Sequence, residues 1–169
     1  RCSNFAGLHI AQAQFSAKAR HFLGLVSEQS LYNLIDRMIE LEVVPTCREF
    51  GLGIIPYSPL AGGLLGGVLQ KEYQGRRSSD SIKKKVQEHA DQLRTFEAFC
   101  AEIGEEPANV ALAWLMTNPV VTAPIIGPRT LDQLDDSLKS LEISFSDEQL
   151  GKLTGIWPGP GGEAPEDYA

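Results

Sequence analysis

Residues 53–63 read Gly-Ile-Ile-Pro-Tyr-Ser-Pro-Leu-Ala-Gly-Gly, an apolar run followed at once by a loop of small residues and prolines. A short run of this kind is typical of a strand buried on both faces, as in parallel sheets. The wider stretch 51–70 contains no charged residue, which alone resembles a membrane span. Because Pro56 and Pro59 would break a helix twice there, we predict a strand over residues 53–57 and then a glycine-rich loop.

Two further apolar runs, at residues 22–26 and 120–126, predict buried strands before and after this one. Between the strands, apolar residues recur at helical spacing. Helices are predicted over residues 8–20, 35–41, 44–50, 82–103, 107–116 and 131–141. In the helix at 35–41, Ile35, Met38 and Ile39 are expected to face inward. Thr130 is expected to cap the helix at 131–141, and Ser146 to cap a last short helix that follows it. Alternating strands and helices indicate an α/β fold with parallel strands and right-handed crossovers.

Composition and charge exclude several classes of protein. The 169 residues carry 15 basic and 22 acidic side chains, so the formal net charge is −7. An acidic chain without a basic tract is a poor candidate for nucleic-acid binding. Cys2, Cys47 and Cys100 lack the spacing of a disulfide framework or a zinc site, and the histidines have no ligand partners at motif spacing. We expect a cytoplasmic protein with no metal, nucleic-acid or membrane partner.

The residues just after each apolar run are the candidates for ligand binding, because parallel α/β folds bind ligands at the carboxyl ends of their strands. Asn4 and Gln29 carry amides, which suit a carboxamide ligand; alternatively, they satisfy loop backbone. Tyr57 offers a flat face for a planar ring, or is a core tyrosine with a bonded hydroxyl.

Anion-binding groups follow the later strands. Gly62 and Gly63 allow backbone N–H groups to approach an anion, or serve turn geometry alone. Arg129, beside a predicted helix start, suits a phosphate, or is a solvated surface charge. The chain contains no G-x-G-x-x-G fingerprint opening a helix, no Walker-type loop and no evident nucleophile–base pair.

Four blocks of the sequence together resemble the C-terminal half of the aldo-keto reductases, in the bacterial and potassium-channel beta-subunit branch. They are residues 2–5 (CSNF), 27–34 (SEQSLYNL), 53–64 (GIIPYSPLAGGL) and 127–138 (GPRTLDQLDDSL), and their order and spacing are similar to the family's. The resemblance implies a (β/α)8 barrel, whose usual size is about 250 residues. Residues 1–156 would then be its C-terminal, cofactor-binding half, and residues 157–169 an irregular tail.

The family binds NADPH in an extended form, and the resemblance assigns each part of that cofactor to residues of this chain. The nicotinamide carboxamide is assigned to Ser3, Asn4 and Gln29, and the stacking face to Tyr57. The pyrophosphate is assigned to Ser58, Leu60, Ala61 and Gly63. The adenosine end is assigned to Arg129, Gln133 and Asp136, with Arg129 on the 2′-phosphate. The family's usual Gly before Ser-Asn is replaced near Cys2, and Ser137 stands where an Asn for the adenine is common.

The family's catalytic Asp, Tyr, Lys and His come from the first half of the barrel, so no residue of this chain is assigned a catalytic role. The resemblance implies an NADPH-dependent oxidoreductase that reduces aldehydes or ketones, small-molecule carbonyl substrates, to alcohols, with this chain as a fragment of it. One alternative is a non-catalytic NADPH-binding regulatory subunit of the same fold. Another is an unrelated barrel enzyme whose phosphate site lies in its last strands.

We expect the 169-residue chain alone to show no carbonyl reductase activity, because half of the active site is missing from it. NADPH oxidation by the purified chain, followed with a panel of aldehydes, measures this. A complete aldo-keto reductase is the positive control, and turnover by the chain above background would contradict the expectation.

Overall fold

Three short strands pair in parallel in this computed structural model, which describes residues 1–70 and 80–164. They are β1 (Cys2–Ser3), β2 (Ser27–Gln29) and β3 (Gly53–Ile54), and they lie side by side in that order. Parallel neighbours need a long crossover connection, and here each connection contains a helix. The chain is therefore an α/β protein with a small parallel sheet.

Helices α1 (Gly7–Ala19) and α2 (Val43–Phe50) supply the two crossovers. Both lie within one residue of the helices predicted over residues 8–20 and 44–50. Helix α2 ends at Gly51, whose φ of 67° is left-handed and therefore favours a residue without a Cβ atom. The two helices pack against each other on one side of the sheet.

Residues 120–125 run alongside β3 as a fourth parallel segment. The Ile54 N–H donates to the Val120 carbonyl, and the Thr122 N–H donates back to the Ile54 carbonyl, both at 2.8 Å. A strand was predicted here, but Pro124 lacks an N–H and interrupts the ladder. The prediction is therefore correct in placement, but the segment is extended chain hydrogen-bonded at intervals rather than a continuous strand.

Five further helices follow β3 in the described part of the chain. They are α3 (Asp80–Glu88), α4 (Ala90–Ile103), α5 (Pro107–Met116), α6 (Leu131–Leu138) and α7 (Asp147–Ile156). Single 3-10 turns stand at Met38–Glu40, Ala61–Gly63 and Lys139–Leu141.

Side-chain caps begin the last two helices, as the sequence predicts. The Thr130 hydroxyl accepts the Gln133 N–H at 3.2 Å at the start of α6. At α7, Ser146 and Gln149 form a reciprocal capping box, with bonds of 3.3 and 2.8 Å. Each cap stabilises its helix by about 1 kcal/mol.

Two apolar clusters form the core. The first lies between the sheet and helices α1 and α2, and consists of Cys2, Ile10, Val43, Val44, Cys47, Leu52 and Ile54. The second surrounds α4 and α5, and its largest members include Tyr32, Phe96, Phe99, Trp114, Leu115 and Trp157. The first cluster fixes the strands against their helices, and the second supports the loops that follow β2 and β3.

The strand predicted over residues 22–26 is wrong. Phe22 and Leu23 are 68% and 86% exposed, and Gly24 has a φ of 79°, which breaks an extended run. The side chain of Gln14 holds this segment to α1 through two hydrogen bonds to the Leu25 backbone, at 2.7 and 3.1 Å. The strand is instead the polar Ser27–Gln29, which hydropathy does not reveal because its buried residue is an acid.

The helix predicted over residues 35–41 is also wrong, since the chain there makes a single 3-10 turn and Met38 is 69% exposed rather than inward. The Asn33 side chain accepts the N–H groups of both Ile35 and Asp36 at 2.9 Å. These bonds compete with the backbone hydrogen bonds that a helix would need here, because a short polar side chain offers the same N–H groups a different acceptor.

The long helix predicted over residues 82–103 is broken in two at His89, where φ is −110° and ψ is 18°. The His89 ring packs edge-on against Trp157, with 5.5 Å between ring centroids, and its Nδ1 lies 3.0 Å from Gln92 Oε1. The polar loop tip predicted at residues 74–79 lies outside the described residues.

The first part of the C-terminal tail has no helix or strand but is attached to the fold. Trp157 is buried in the second cluster, and its carbonyl accepts a hydrogen bond from Arg37 at 3.0 Å. Arg48 pairs with Glu163 at 2.7 Å. Across residues 1–70 and 80–164, no helix combines the length and apolarity needed to cross a bilayer.

The three thiols are unpaired and buried. Burial raises the pKa of Cys2, Cys47 and Cys100 to about 12 each, and the carboxylate of Glu28 adds to the effect at Cys2 and Cys47. A thiol with so high a pKa is protonated at neutral pH and is a poor nucleophile. The buried, protonated thiols are therefore poor candidates for a catalytic nucleophile.

We predict that the folded protein resists thiol reagents at about pH 8, while the urea-unfolded protein reacts at all its cysteines. Because the folded pKa values lie above that of an unfolded thiol, protonation stabilises the fold up to about pH 9, and this contribution is lost as the pH rises toward 12. Reagent titration and urea midpoints against pH measure both effects. A midpoint that stays constant or rises between about pH 9 and 11 would contradict this expectation.

We predict opposite effects of alanine at two helical glycines. A Cβ at Gly7, the first residue of α1, would lie 2.7 Å from Thr46 Oγ1 and 3.2 Å from the Glu42 carbonyl oxygen. Gly7→Ala should therefore destabilise the protein by about 1–3 kcal/mol. In contrast, a Cβ at Gly151 in α7 would have no described atom within 4 Å apart from its chain neighbours and the backbone of its own helix, so Gly151→Ala should stabilise the protein by about 0.5–1 kcal/mol. Urea unfolding of both variants checks the pair, and equal shifts in one direction would refute the packing argument.

Candidate functional site

A hydrogen bond joins two candidate residues that lie far apart in the sequence. The Tyr57 hydroxyl donates to Asn4 Oδ1 at 3.2 Å, although 53 positions separate the two residues. Tyr57 follows β3 and Asn4 follows β1, so each lies at the carboxyl end of its strand. The Tyr57 ring is half-buried and Asn4 is exposed. The parallel sheet therefore brings an amide and an aromatic ring together at one accessible edge.

The end of β2 completes this group. The Gln29 carbonyl accepts hydrogen bonds from the Asn4 N–H at 2.9 Å and from the Ser3 hydroxyl at 3.1 Å. The Gln29 side-chain oxygen accepts a hydrogen bond from the Arg1 guanidinium. Ser3, Asn4, Gln29 and Tyr57, all predicted as site residues, are thus one hydrogen-bonded cluster.

The loop after β3 carries the next group of predicted residues. Ser58, Ala61, Gly62 and Gly63 have φ values of 54°, 49°, 70° and 106°, so the backbone is left-handed at four of six consecutive positions. The N–H groups of Ala61 and Gly63 donate to the Ser58 and Leu60 carbonyls, at 2.9 and 2.8 Å. In this conformation those two N–H groups serve the turn, while the exposed Ser58 side chain faces solvent.

Asn33 fixes the start of this loop, and the sequence interpretation gave it no role. It is fully buried, and its Nδ2 donates to the Ser58 carbonyl at 3.1 Å and to Asp36 Oδ2 at 3.0 Å. The one available signal was its place in the block Gln-x-x-Tyr-Asn, four residues after Gln29. A buried amide with its hydrogen bonds satisfied holds a loop in one geometry.

A second group follows the segment 120–125. Arg129 is exposed, and its backbone N–H donates to Gln133 Oε1 at 2.8 Å. Asp136 pairs with Lys139 at 2.7 Å, and this hydrogen bond raises the pKa of the Lys139 ammonium. Gln133 therefore stabilises the loop that carries Arg129. The charge of Asp136 is paired with that of Lys139.

The two groups share an edge of the sheet but are not bonded to each other. Ser58 follows β3 and Arg129 follows the segment paired with β3, so both stand at carboxyl ends. No hydrogen bond between described residues links Arg129, Gln133 or Asp136 to the cluster around Tyr57. Within the described residues, no group of three or more His, Cys, Asp or Glu side chains converges as a metal site would require.

This arrangement offers distinct chemistry at its two ends. The cluster at Tyr57 presents hydroxyl and amide groups beside an aromatic face, which fits a planar ligand carrying a carboxamide. The loop at Arg129 presents a guanidinium beside the start of α6, which fits a phosphate.

Comparisons with known proteins identify relatives along nearly the whole chain. The model of the Aldo/keto reductase family matches residues 2–158. The chain is 53% identical over 167 residues to "Uncharacterized oxidoreductase YrpG" of Bacillus subtilis, covering 99% of this chain and 51% of that protein. The resemblance of the four sequence blocks to the aldo-keto reductases is therefore confirmed at the level of the family.

More distant relatives carry names of the same kind. "Probable aldo-keto reductase 1" of Glycine max is 30% identical over 154 residues, covering 88% of this chain and 44% of that protein. "Versiconal hemiacetal acetate reductase" of Aspergillus parasiticus is 30% identical over 134 residues, covering 76% of this chain and 39% of that protein. The chain spans about half the length of the curated relatives it matches, or somewhat less.

Proposed function

The chain belongs to the aldo/keto reductase family, and we propose that it forms the cofactor-binding half of an NADPH-dependent oxidoreductase that reduces aldehydes or ketones to alcohols. In this proposal it is the C-terminal part of a (β/α)8 barrel, residues 1–156, with residues 157–169 as its tail. The observation that carries the proposal is the 3.2 Å hydrogen bond between Tyr57 and Asn4. It joins the residue expected to stack on the nicotinamide to a residue expected to hold its carboxamide.

The polar groups at the nicotinamide end complement a carboxamide. Asn4 accepts from Tyr57 through Oδ1, so its Nδ2 is left to donate to the ligand's carbonyl. The Ser3 hydroxyl donates to the Gln29 carbonyl, so its oxygen lone pairs can accept from the ligand's amide. This division of donors and acceptors fixes the direction in which the carboxamide lies.

Tyr57 is suited to hold the ring because its own orientation is fixed at both ends. Its hydroxyl is bonded to Asn4, and its backbone N–H donates to the Ser30 carbonyl at 3.0 Å. NADPH, when bound, supplies the hydride, and a ring stacked on Tyr57 presents one face toward the substrate. The contribution of this chain is therefore orientation, which can account for a large share of a rate enhancement.

The phosphate end is proposed at the loop after β3 and at Arg129. Ser58, Leu60, Ala61 and Gly63 are proposed to line the pyrophosphate. Arg129 is proposed on the 2′-phosphate, with Gln133 and Asp136 near the adenosine. An exposed guanidinium beside a helix N-terminus supports this assignment, because both attract anions.

Proton donation to the substrate is proposed to come from the other half of the barrel. The free, buried thiols support a reducing cytoplasm as the location. The alternative is a non-catalytic regulatory subunit that uses the same cofactor site. Tight NADPH binding without turnover of any carbonyl substrate would indicate this alternative.

We predict that the full-length protein binds NADPH, and that Arg129→Ala weakens NADPH binding about 10- to 100-fold while leaving NADH binding nearly unchanged. The reason is that the guanidinium contacts a phosphate that NADH lacks. Cofactor fluorescence titrations of both nucleotides measure the effect.

Arg94→Ala is the matched control, because Arg94 is an exposed arginine on α4, paired with Asp91 and outside the site. Failure of the wild-type protein to bind NADPH would overturn the cofactor assignment. Equal weakening of NADPH and NADH by Arg129→Ala would place Arg129 away from the 2′-phosphate.

A further inference from the structure

Glu28 is an acid buried inside the sheet. It lies in the middle of β2, pairs with Cys2 on one side and Ile54 on the other, and has no exposed surface. Its side chain is on the apolar side of the sheet, where Cys47 of α2 is also fully buried. Neither the sequence blocks nor the proposed cofactor contacts give this residue a role.

The Glu28 carboxylate is bound through one of its oxygens. Oε1 accepts the Phe5 N–H at 3.0 Å and the Ser30 hydroxyl at 2.9 Å. Oε2 is buried and has no hydrogen-bond partner among the described residues. A buried carboxylate with an unpaired oxygen is costly, and apolar replacements of buried charges are often neutral or stabilising. The bonds of this carboxylate are therefore concentrated on Oε1, while Oε2 contributes no hydrogen bond to the described fold.

The bond to Phe5 reaches the turn that presents the site. Phe5 follows Asn4 directly, and Asn4 has a φ of 56°, a left-handed value that is uncommon outside glycine. The Asn4 N–H donates to the Gln29 carbonyl and the next N–H, of Phe5, donates to Glu28. Two consecutive backbone groups of the β1 turn are thus held by two consecutive residues of β2.

These two bonds fix the peptide that follows Asn4, and with it the direction of the Asn4 side chain. That side chain is the one that meets the Tyr57 hydroxyl. Without the Glu28 carboxylate, the Phe5 N–H would lose its partner, and the turn would be free to leave the left-handed conformation. Asn4 and Tyr57 would then lose their alignment although neither residue had changed.

We propose that Glu28 is a positioning residue, which sets Asn4 for the nicotinamide carboxamide by binding the Phe5 N–H from beneath the sheet. This inference rests on the proposed function, because it assigns the Asn4 cluster to the nicotinamide end of NADPH. It predicts an effect confined to that end, since Arg129 and the adenosine group share no hydrogen bond with Glu28 among the described residues.

The test compares two ligands in the full-length protein. NADPH occupies both ends of the site, whereas 2′,5′-ADP carries the adenosine end alone. We expect Glu28→Ala to raise the Kd of NADPH about tenfold while the Kd of 2′,5′-ADP stays within about twofold. Glu28→Gln keeps an acceptor oxygen for Phe5, so it should restore most of the NADPH affinity. Glu49→Gln, an exposed acid on α2, is the matched control and should change neither value.

Each other outcome has a definite meaning. Equal loss of both ligands in Glu28→Ala would show a general structural role and overturn the inference. Unchanged NADPH affinity would overturn it as well, while the proposed function stands. A wild-type protein that binds 2′,5′-ADP but not NADPH, or neither ligand, would overturn the proposed function itself.

A measurement on the wild-type protein covers the case in which Glu28→Ala does not fold. Hydrogen exchange should show the Phe5 amide protected to a degree similar to the neighbouring Asn4 amide, because both are bonded to β2. A Phe5 amide that exchanges at the rate of an unstructured peptide would overturn the inference.

Discussion

The parallel pairing of β2 with its neighbours on both sides, and of β3 with residues 120–125, places the candidate site residues at one edge of the sheet. Parallel neighbours point the same way, so four segments end at one edge and present their following turns to the same space. The crossover helices return the chain to the edge of the sheet at which the next strand begins, and their apolar faces pack against the short strands. With two or three residues in each named strand, the ladder alone is weak, and the packing of α1 and α2 stabilises it.

Buried polar side chains fix the loops that follow the strands by hydrogen-bonding to their backbone. Glu28 binds the turn after β1, and Asn33 binds the loop after β3. Both are fully buried, and each bonds a loop backbone group as well as one neighbouring side chain, Ser30 for Glu28 and Asp36 for Asn33. A loop fixed from beneath in this way keeps its outer side chains accessible, which is what a binding edge needs. The left-handed residues Asn4 and Ser58 stand at the two anchored positions, where local strain is held by the surrounding bonds.

The predictions from hydropathy succeeded where the buried side chains are apolar and failed where a buried side chain is polar. The helices at 8–20, 44–50 and 107–116 and the caps at Thr130 and Ser146 follow from local signals, namely periodicity and capping chemistry. The strand placed at residues 22–26 was wrong because an exposed apolar run resembles a buried strand, while the real strand contains an acid. The sequence also does not reveal the break at His89, whose ring contacts Trp157, 68 positions away.

The sequence by itself determined the class of fold, the family, and which residue types stand at the ends of the strands, because these depend on short motifs and their order. The identities of Asn4, Gln29, Tyr57 and Arg129 as site candidates come from that level. The tertiary structure alone decided that Asn4 and Tyr57 touch, and that Glu28 and Asn33 bind the backbone of the next residues, Phe5 and Ser58. The physical reason is that these contacts join residues from different strands, and their geometry is set by register and burial rather than by any local preference of the chain.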